Sequence, residues 1–222
     1  MDSLLMAATE RRAALPFGET PISDTEASAA WDSLRAVGRT PLTRRILAMF
    51  VLARGAGATA ADMRSVRGDD IFFVVGAGTW VNLRRRGLER SVPVSARFAS
   101  VLQSLARRAQ NRSLLGTRGQ EGPVPMAGVR DVELEMQRLL AKTIPATLVT
   151  IERLRRAWLL EQMSSALPVG EFLRLSGERS WQTVYDLLGF CPRSAVDLGQ
   201  TARLAGGVED VALIDLATWG LD

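Results

Sequence analysis

Apolar residues in the first third of the chain recur every three or four positions, which is the spacing of one face of an α-helix. Three helices are predicted there, over residues 23 to 37, 40 to 54 and 59 to about 67. Each begins at a residue that caps helices well, Ser23, Thr40 and Thr59. Glu26 follows Ser23 at the spacing of a capping box, and Asp62 follows Thr59 in the same way.

The pattern then changes to alternating apolar and polar residues, rich in β-branched and aromatic side chains, which indicates strands. Turns that contain glycine separate three such segments, residues 71 to 75, 79 to 83 and 90 to 94. Helical spacing returns over residues 95 to 110, 131 to 142, 150 to 164, 168 to 175 and 180 to 188, with a polar loop at 111 to 124. The predicted fold is therefore mainly α with a small antiparallel β-sheet, an α+β class.

The length of 222 residues suits one domain with a short segment at each end. We expect a flexible arm at residues 1 to 20, a domain at 21 to 194 and an acidic tail at 195 to 222. The tail contains an apolar stretch at 211 to 219, which predicts a docking helix that folds back on its own chain or packs on a second copy. Some self-association through this tail is expected.

Histidine is absent and cysteine occurs once, at Cys191. This composition excludes Ser-His-Asp triads, Cys-His pairs, histidine metal sites and zinc ribbons. The carboxylates at 69 and 70 lie at the entrance of a predicted strand, and those at 133 and 135 lie on different faces of a predicted helix, so we predict neither a metal nor a cofactor. A single cysteine, together with the lack of an apolar run of bilayer length, indicates a cytoplasmic protein.

Positive charge is concentrated in one part of the sequence. Residues 84 to 118 contain nine arginines and one acidic residue, Glu89, a local charge of +8 in a chain whose net charge is +4. Arginine suits phosphate because its planar guanidinium donates two parallel hydrogen bonds. This segment predicts a DNA-binding surface, although RNA or an acidic protein would fit the same charge. The predicted DNA contacts here are Arg84, Arg85, Arg86, Arg90, Arg97, Arg107, Arg108 and Arg112.

Four segments resemble, in order and spacing, motifs of the catalytic domain of tyrosine recombinases and phage integrases. They are residues 52 to 71 (LARGAGATAADMRSVRGDDI), 89 to 94 (ERSVPV), 154 to 158 (LRRAW) and 169 to 188 (VGEFLRLSGERSWQTVYDLL). The likeness covers about residues 21 to 190. It implies the fold of that domain, in which helices precede and follow a three-stranded sheet, and it implies double-stranded DNA as the partner.

The resemblance also implies where a recombinase active site would lie. In that family a tyrosine attacks a DNA phosphodiester, arginines and histidine-type donors hold the phosphate, and a lysine protonates the leaving oxygen. The matching positions are Thr59 for the first arginine, Leu88 for the lysine, Glu152 for the first histidine, Arg155 for the second arginine, Ser176 or Gly177 for the second histidine-type donor, and Tyr185 or Asp186 for the nucleophile. Only Arg155 and Tyr185 keep the family's residue.

We therefore predict a recombinase-like domain that binds DNA at the nucleoid without cleaving it, with Arg155 and Arg156 among its DNA contacts. It would act in the regulation or architecture of DNA, or as the partner of an active recombinase. Two alternatives stay open. One is an active recombinase that uses Tyr185 and Arg155 with diverged neighbours, and the other is a helical protein-interaction module whose arginines meet an acidic partner.

Overall fold

The computed structural model describes residues 20–38, 40–117, 120, 122–165, 167–178, 186, 187 and 190. All of them belong to the first of two compact units, which spans residues 1–190. The predicted tail and its docking helix lie outside the described residues, as does the predicted arm apart from Thr20. No helix in the described ranges is long and apolar enough to cross a bilayer.

The first three helices begin where the sequence predicts. They are α1 (Asp24–Ala36), α2 (Pro41–Ala56) and α3 (Ala60–Met63), and the side chains of Ser23, Thr40 and Thr59 each accept a hydrogen bond from the backbone N–H three residues later. These caps satisfy N–H groups that the start of a helix otherwise leaves without partners. The α2 helix ends at Gly57, whose φ of 60° is a left-handed conformation that glycine adopts without strain.

The prediction that the third helix continues to about residue 67 is wrong, because α3 ends at Met63. The chain beyond it pairs with the loop at 111–124 instead. Val124 N donates to the carbonyl of Arg64 at 2.8 Å, and Leu114 N donates to the carbonyl of Val66 at 3.0 Å. These tertiary hydrogen bonds replace those of a continued helix. A single 3₁₀ turn, Gly68–Asp70, then leads into the sheet.

Three antiparallel strands form the sheet in the order β1 (Ile71–Val74), β2 (Gly78–Leu83) and β3 (Arg90–Pro93). Val81 in the middle strand pairs with Ile71 on one side and with Val92 on the other. Alternate residues of β2 and β3 are buried, and helix α4 (Ala96–Ala109) packs on β2. The edge strand β1 leaves apolar side chains at the surface, with Phe73 63% exposed.

Three further helices follow, α5 (Met126–Leu140), α6 (Ile151–Met163) and α7 (Val169–Ser176). The predicted start of α5 at residue 131 is wrong by five residues. Pro125 pre-sets the backbone before the first turn, and its carbonyl accepts from Val129 N at 3.2 Å, so the helix begins there. The predicted helix at 180–188 lies outside the described residues except for 186 and 187, which are helical.

The core is built around α2, which is buried without interruption from Ala48 to Ala56. A helix that is apolar on almost all sides is expected at the centre of a domain. Helices α4, α5 and α6 pack around it. Trp31 of α1 adds an aromatic cluster with Phe50 and Phe98, whose ring centres lie 5.0 to 6.0 Å apart. The predicted class, mainly helical with a small antiparallel sheet, is confirmed.

Candidate functional site

Arg155, the arginine that the resemblance assigns to phosphate binding, lies on α6 with its side chain only 3% exposed. Its Nη2 donates to the Glu178 carboxylate at 2.5 Å and to the Ser176 carbonyl at 2.9 Å, and its Nη1 donates to the carbonyl of Gly57. One guanidinium therefore links the end of α2 to the end of α7. A carboxylate of the same chain compensates its charge.

A second buried arginine, Arg90 of β3, donates to both carboxylate oxygens of Asp62, at 2.8 and 3.2 Å. Its Nε donates to the Leu175 carbonyl at 3.0 Å. Asp62 also accepts from the backbone N and the hydroxyl of Thr59, both at 2.8 Å. Burial by itself raises the pKa of the Asp62 carboxyl, but the hydrogen bonds and charge of Arg90, with the hydrogen bonds of Thr59, hold that pKa below its ordinary value of 3.8.

The two arginines meet at the end of α7, because their acceptors Leu175 and Ser176 are consecutive residues. Gly177 closes this helix with a φ of 66°, and a Cβ atom there would lie 2.7 Å from the guanidinium carbon of Arg90. Glycine is the residue that fits both the backbone conformation and the close approach. We name the following residues the buried arginine cluster: Thr59, Asp62, Arg90, Arg155 and Glu178.

Three positions that the resemblance assigns to chemistry contribute only neutral groups to this cluster or its edge. The Thr59 hydroxyl is hydrogen-bonded to the cluster's own carboxylate at 2.8 Å. Leu88 offers its carbonyl, which accepts from Arg90 Nη1 at 3.3 Å. Ser176 directs its hydroxyl to the Leu173 carbonyl at 3.1 Å. The positive charge of the cluster therefore comes from two arginines, and both are paired with carboxylates.

Glu152 lies apart from these contacts. Glu152 is one turn before Arg155 on α6, but its carboxylate is 51% exposed and accepts from Arg156 Nε at 2.8 Å. Tyr185 lies outside the described residues. Its neighbour Asp186 is described and is half-buried.

The predicted hairpin arginines lie exposed in the turn between β2 and β3. Arg84 pairs with Asp70 at 2.5 Å while its side chain stays 63% exposed. Arg85 and Arg86 are exposed, and neither forms an ion pair with another described residue. This turn therefore presents three guanidinium groups to solvent.

Four more arginines of the basic segment lie on α4 or in the loop after it: Arg97, Arg107, Arg108 and Arg112. Arg97 lies over the ring of Phe98 at 4.8 Å and donates to Ser28 Oγ at 3.3 Å. Arg107 lines a groove beside the exposed Phe73 of β1. These two side chains lie ten positions apart on one helix and face different neighbours.

Arg108 and Arg112 line a separate cavity with Arg44 and Arg45 of α2. Arg44 and Arg45 were not among the predicted site residues, because they lie far outside the basic segment. Glu178 was not predicted either. Two signals were present: arginines in the first turns of a helix, where the helix dipole disfavours positive charge, and an acid directly after the glycine that ends α7.

No protein-family model matches the chain, and no curated protein sequence matches it. Solved structures do match. XerA recombinase aligns with a TM-score of 0.59 at 14% identity, over 84% of this chain and 65% of that one. The post-cleavage complex of XerH site-specific recombinase with a palindromic difH substrate aligns with a TM-score of 0.61 at 12% identity, over 85% and 53%. The integrase from mycobacterium phage Brujita aligns at 0.52 and 15%, over 88% and 57%.

This chain has a tyrosine-recombinase-like fold. The likeness inferred from the four sequence motifs is thereby confirmed for the fold. The chain spans about half to two thirds of the length of these recombinases. Within the recombinase-like fold, no three His, Cys, Asp or Glu residues of the described part are grouped as a metal site would require.

Proposed function

We propose that this recombinase-like domain binds double-stranded DNA and does not cleave it. It acts in the regulation or architecture of DNA, or as the partner of an active recombinase. The observation that carries the proposal is the ion pair between Arg155 and Glu178, because Arg155 is the phosphate-binding arginine that the chain keeps from the family's set.

Arg155 already donates three of its five N–H groups to Glu178, Ser176 and Gly57, and its side chain is 3% exposed, so a phosphodiester would have to compete with these acceptors. It would also have to approach the Glu178 carboxylate, and like charges repel strongly where solvent is scarce. Thr59 replaces a second guanidinium with a neutral hydroxyl. Since each lost donor of this kind lowers the rate by about 10² to 10³, cleavage at this site falls by several orders of magnitude.

The hairpin turn supports the DNA-binding part of the proposal. Arg84, Arg85 and Arg86 are exposed there, and contacts to phosphate supply most of the affinity for DNA of arbitrary sequence. Arg97, Arg107 and Arg156 stay proposed contacts, whereas Arg90 and Arg155 are interior residues and are left out of the surface. Proteins with this fold include the Tn1549 transposon integrase, solved in complex with circular intermediate DNA.

A suicide DNA substrate tests the loss of cleavage. We expect the full chain to form no covalent adduct. Glu178→Gln removes the competing carboxylate, and we expect it to form none either, because the other donors are still missing. An adduct that Tyr185→Phe abolishes would falsify the proposal in favour of an active recombinase that uses Tyr185 and Arg155.

Salt dependence tests the binding. The affinity for a short DNA duplex should fall steeply between about 50 and 200 mM salt. In Arg85→Gln/Arg86→Gln, the magnitude of the negative slope of log K against log [salt] should decrease by up to about 1.8. Arg130→Gln/Arg138→Gln removes the same charge from exposed positions of α5 and should leave the slope unchanged. Wild-type protein that does not bind at low salt, or binds without loss as salt rises, contradicts the DNA-binding role.

One observation favours a protein-interaction module as the second candidate function. The edge strand β1 exposes Phe72, Phe73 and Val74, and Val75 after it is 90% exposed. Apolar side chains gathered at a sheet edge are typical of a surface that another protein covers. If the chain fails the DNA-binding test, protein binding at this surface becomes the favoured function.

A further inference from the structure

Four arginines that are distant in sequence surround one cavity. Arg44 and Arg45 come from the first turns of α2, Arg108 from the last turn of α4, and Arg112 from the loop after it. The cavity has a volume of about 360 Å³, and apolar side chains such as Leu105 form part of its wall. We name these four arginines and the cavity the arginine pocket.

No carboxylate pairs with these four arginines anywhere in the described part of the chain. The side chains of Arg44 and Arg112 donate to backbone carbonyls: Arg44 Nε to Thr40 at 3.4 Å, and Arg112 to Ala109 at 3.3 Å and to Arg108 at 3.2 Å. The pocket therefore gathers four positive charges that no acid of the described chain offsets. Guanidinium groups held this way repel each other unless an anion lies among them.

The charge extends beyond the cavity in one direction. A neighbouring cavity of about 250 Å³ shares Arg44 and Arg108 and adds Arg35, which lies at the end of α1 over the ring of Trp31. The first turn of α2 contains no acidic residue, so the partial positive charge of that helix end adds to the field. Several donors thus converge on one concave, partly apolar space.

The arginine pocket is separate from the buried arginine cluster. Arg44 lies near the start of α2 and Gly57 lies at its end, and at 1.5 Å per residue the two are about 20 Å apart along the helix. The two sites therefore do not share a ligand group.

We propose that the arginine pocket is an anion-binding site, and that it takes a phosphate-bearing ligand. Several guanidinium forks suit the multiple oxygens of a phosphate, and a cavity of this size admits a di- or triphosphate group. The phosphate comes from the backbone of bound DNA or from a free phosphorylated molecule. The chemistry of recognition is the same in both cases.

Two measurements on the full chain separate the sources, and the double variant Arg44→Gln/Arg108→Gln serves both. The first is the binding of inorganic pyrophosphate, followed by titration calorimetry. If free phosphate is the ligand, the wild type binds and the double variant loses at least about tenfold in affinity. Arg130→Gln/Arg138→Gln, with the same change of net charge on α5, binds as the wild type does.

The second measurement is the salt dependence of DNA binding. If DNA phosphates enter the pocket, Arg44→Gln/Arg108→Gln decreases the magnitude of the negative slope of log K against log [salt] by up to about 1.8, and pyrophosphate competes with DNA. Circular dichroism confirms that the variant is folded. Pyrophosphate affinity and DNA slope that are both unchanged in the folded variant overturn the proposal. The pyrophosphate measurement needs no DNA, so it distinguishes this failure from failure of the proposed function.

Discussion

The buried arginine cluster and the arginine pocket use the same side chain in opposite ways. In the cluster, Arg90 and Arg155 are 3% exposed, and each is paired with a carboxylate. In the pocket, arginines such as Arg44 and Arg108 are half-buried or exposed, and the described chain supplies them with no carboxylate. The cluster has satisfied its charges internally, whereas the pocket presents its charges to a ligand.

This difference gives a physical basis for the proposed loss of cleavage within a recombinase-like fold. Arg155 joins the ends of α2 and α7, so an arginine at this position has a structural role that does not depend on cleavage. A buried ion pair adds little over an apolar pair of the same shape, but removal of one partner is costly because the other charge stays buried. Anion binding, by contrast, depends on arginines that lack internal partners.

The largest expected effect comes from breaking the cluster. Asp62→Ala leaves the Arg90 guanidinium buried without its carboxylate, and we expect the free energy of unfolding to fall by about 3–5 kcal/mol. Urea unfolding followed by circular dichroism measures this. Glu135→Gln, which breaks a surface ion pair with Arg138, is the control and should cost no more than about 1 kcal/mol. Equal losses in the two variants would show that Arg90 does not depend on Asp62.

A smaller effect is expected from acid. The folded-state pKa of Asp62 lies below 3.8, so its ion pair stabilises the fold above that pH and loses its contribution as the pH falls through the folded value. Asp62→Asn lacks this titration. The difference in unfolding free energy between the wild type and Asp62→Asn should therefore be constant above about pH 5 and shrink as the pH approaches 2. A difference that does not change with pH would rule out a lowered pKa.

The sequence was sufficient to predict most of the fold, because its signals are local. Caps at Ser23, Thr40 and Thr59 and alternation in the strands depend on neighbouring residues. Local signals failed where contacts with distant segments determine the backbone conformation. At Arg64 the carbonyl accepts a hydrogen bond from Val124 N, and α3 does not continue.

The candidate site was less predictable than the fold. A charge count groups Arg90 with Arg86 and Arg108, yet the first is buried against Asp62, 28 positions away, and the last lies in a cavity with Arg44. Whether an arginine is available to a ligand depends on which carboxylates the tertiary fold brings to it. Neither the count nor the spacing of charges contains that information.

The smallest expected effect concerns the arginine pocket and has the opposite sign. Arg108→Gln removes one of several like charges around a cavity, so at low salt the free energy of unfolding should rise by a few tenths of a kcal/mol, up to about 0.5. Added chloride should erase the gain by screening. Arg174→Gln is the matched control, because that exposed arginine on α7 pairs with Glu171 and its loss should lower stability slightly.

In pyrophosphate, the wild type should become more stable than Arg108→Gln. Bound ligand stabilises the folded state, and the variant binds less of it. Marked destabilisation of Arg108→Gln in chloride would mean that a carboxylate already occupies the pocket, and its four arginines would then belong with the buried cluster.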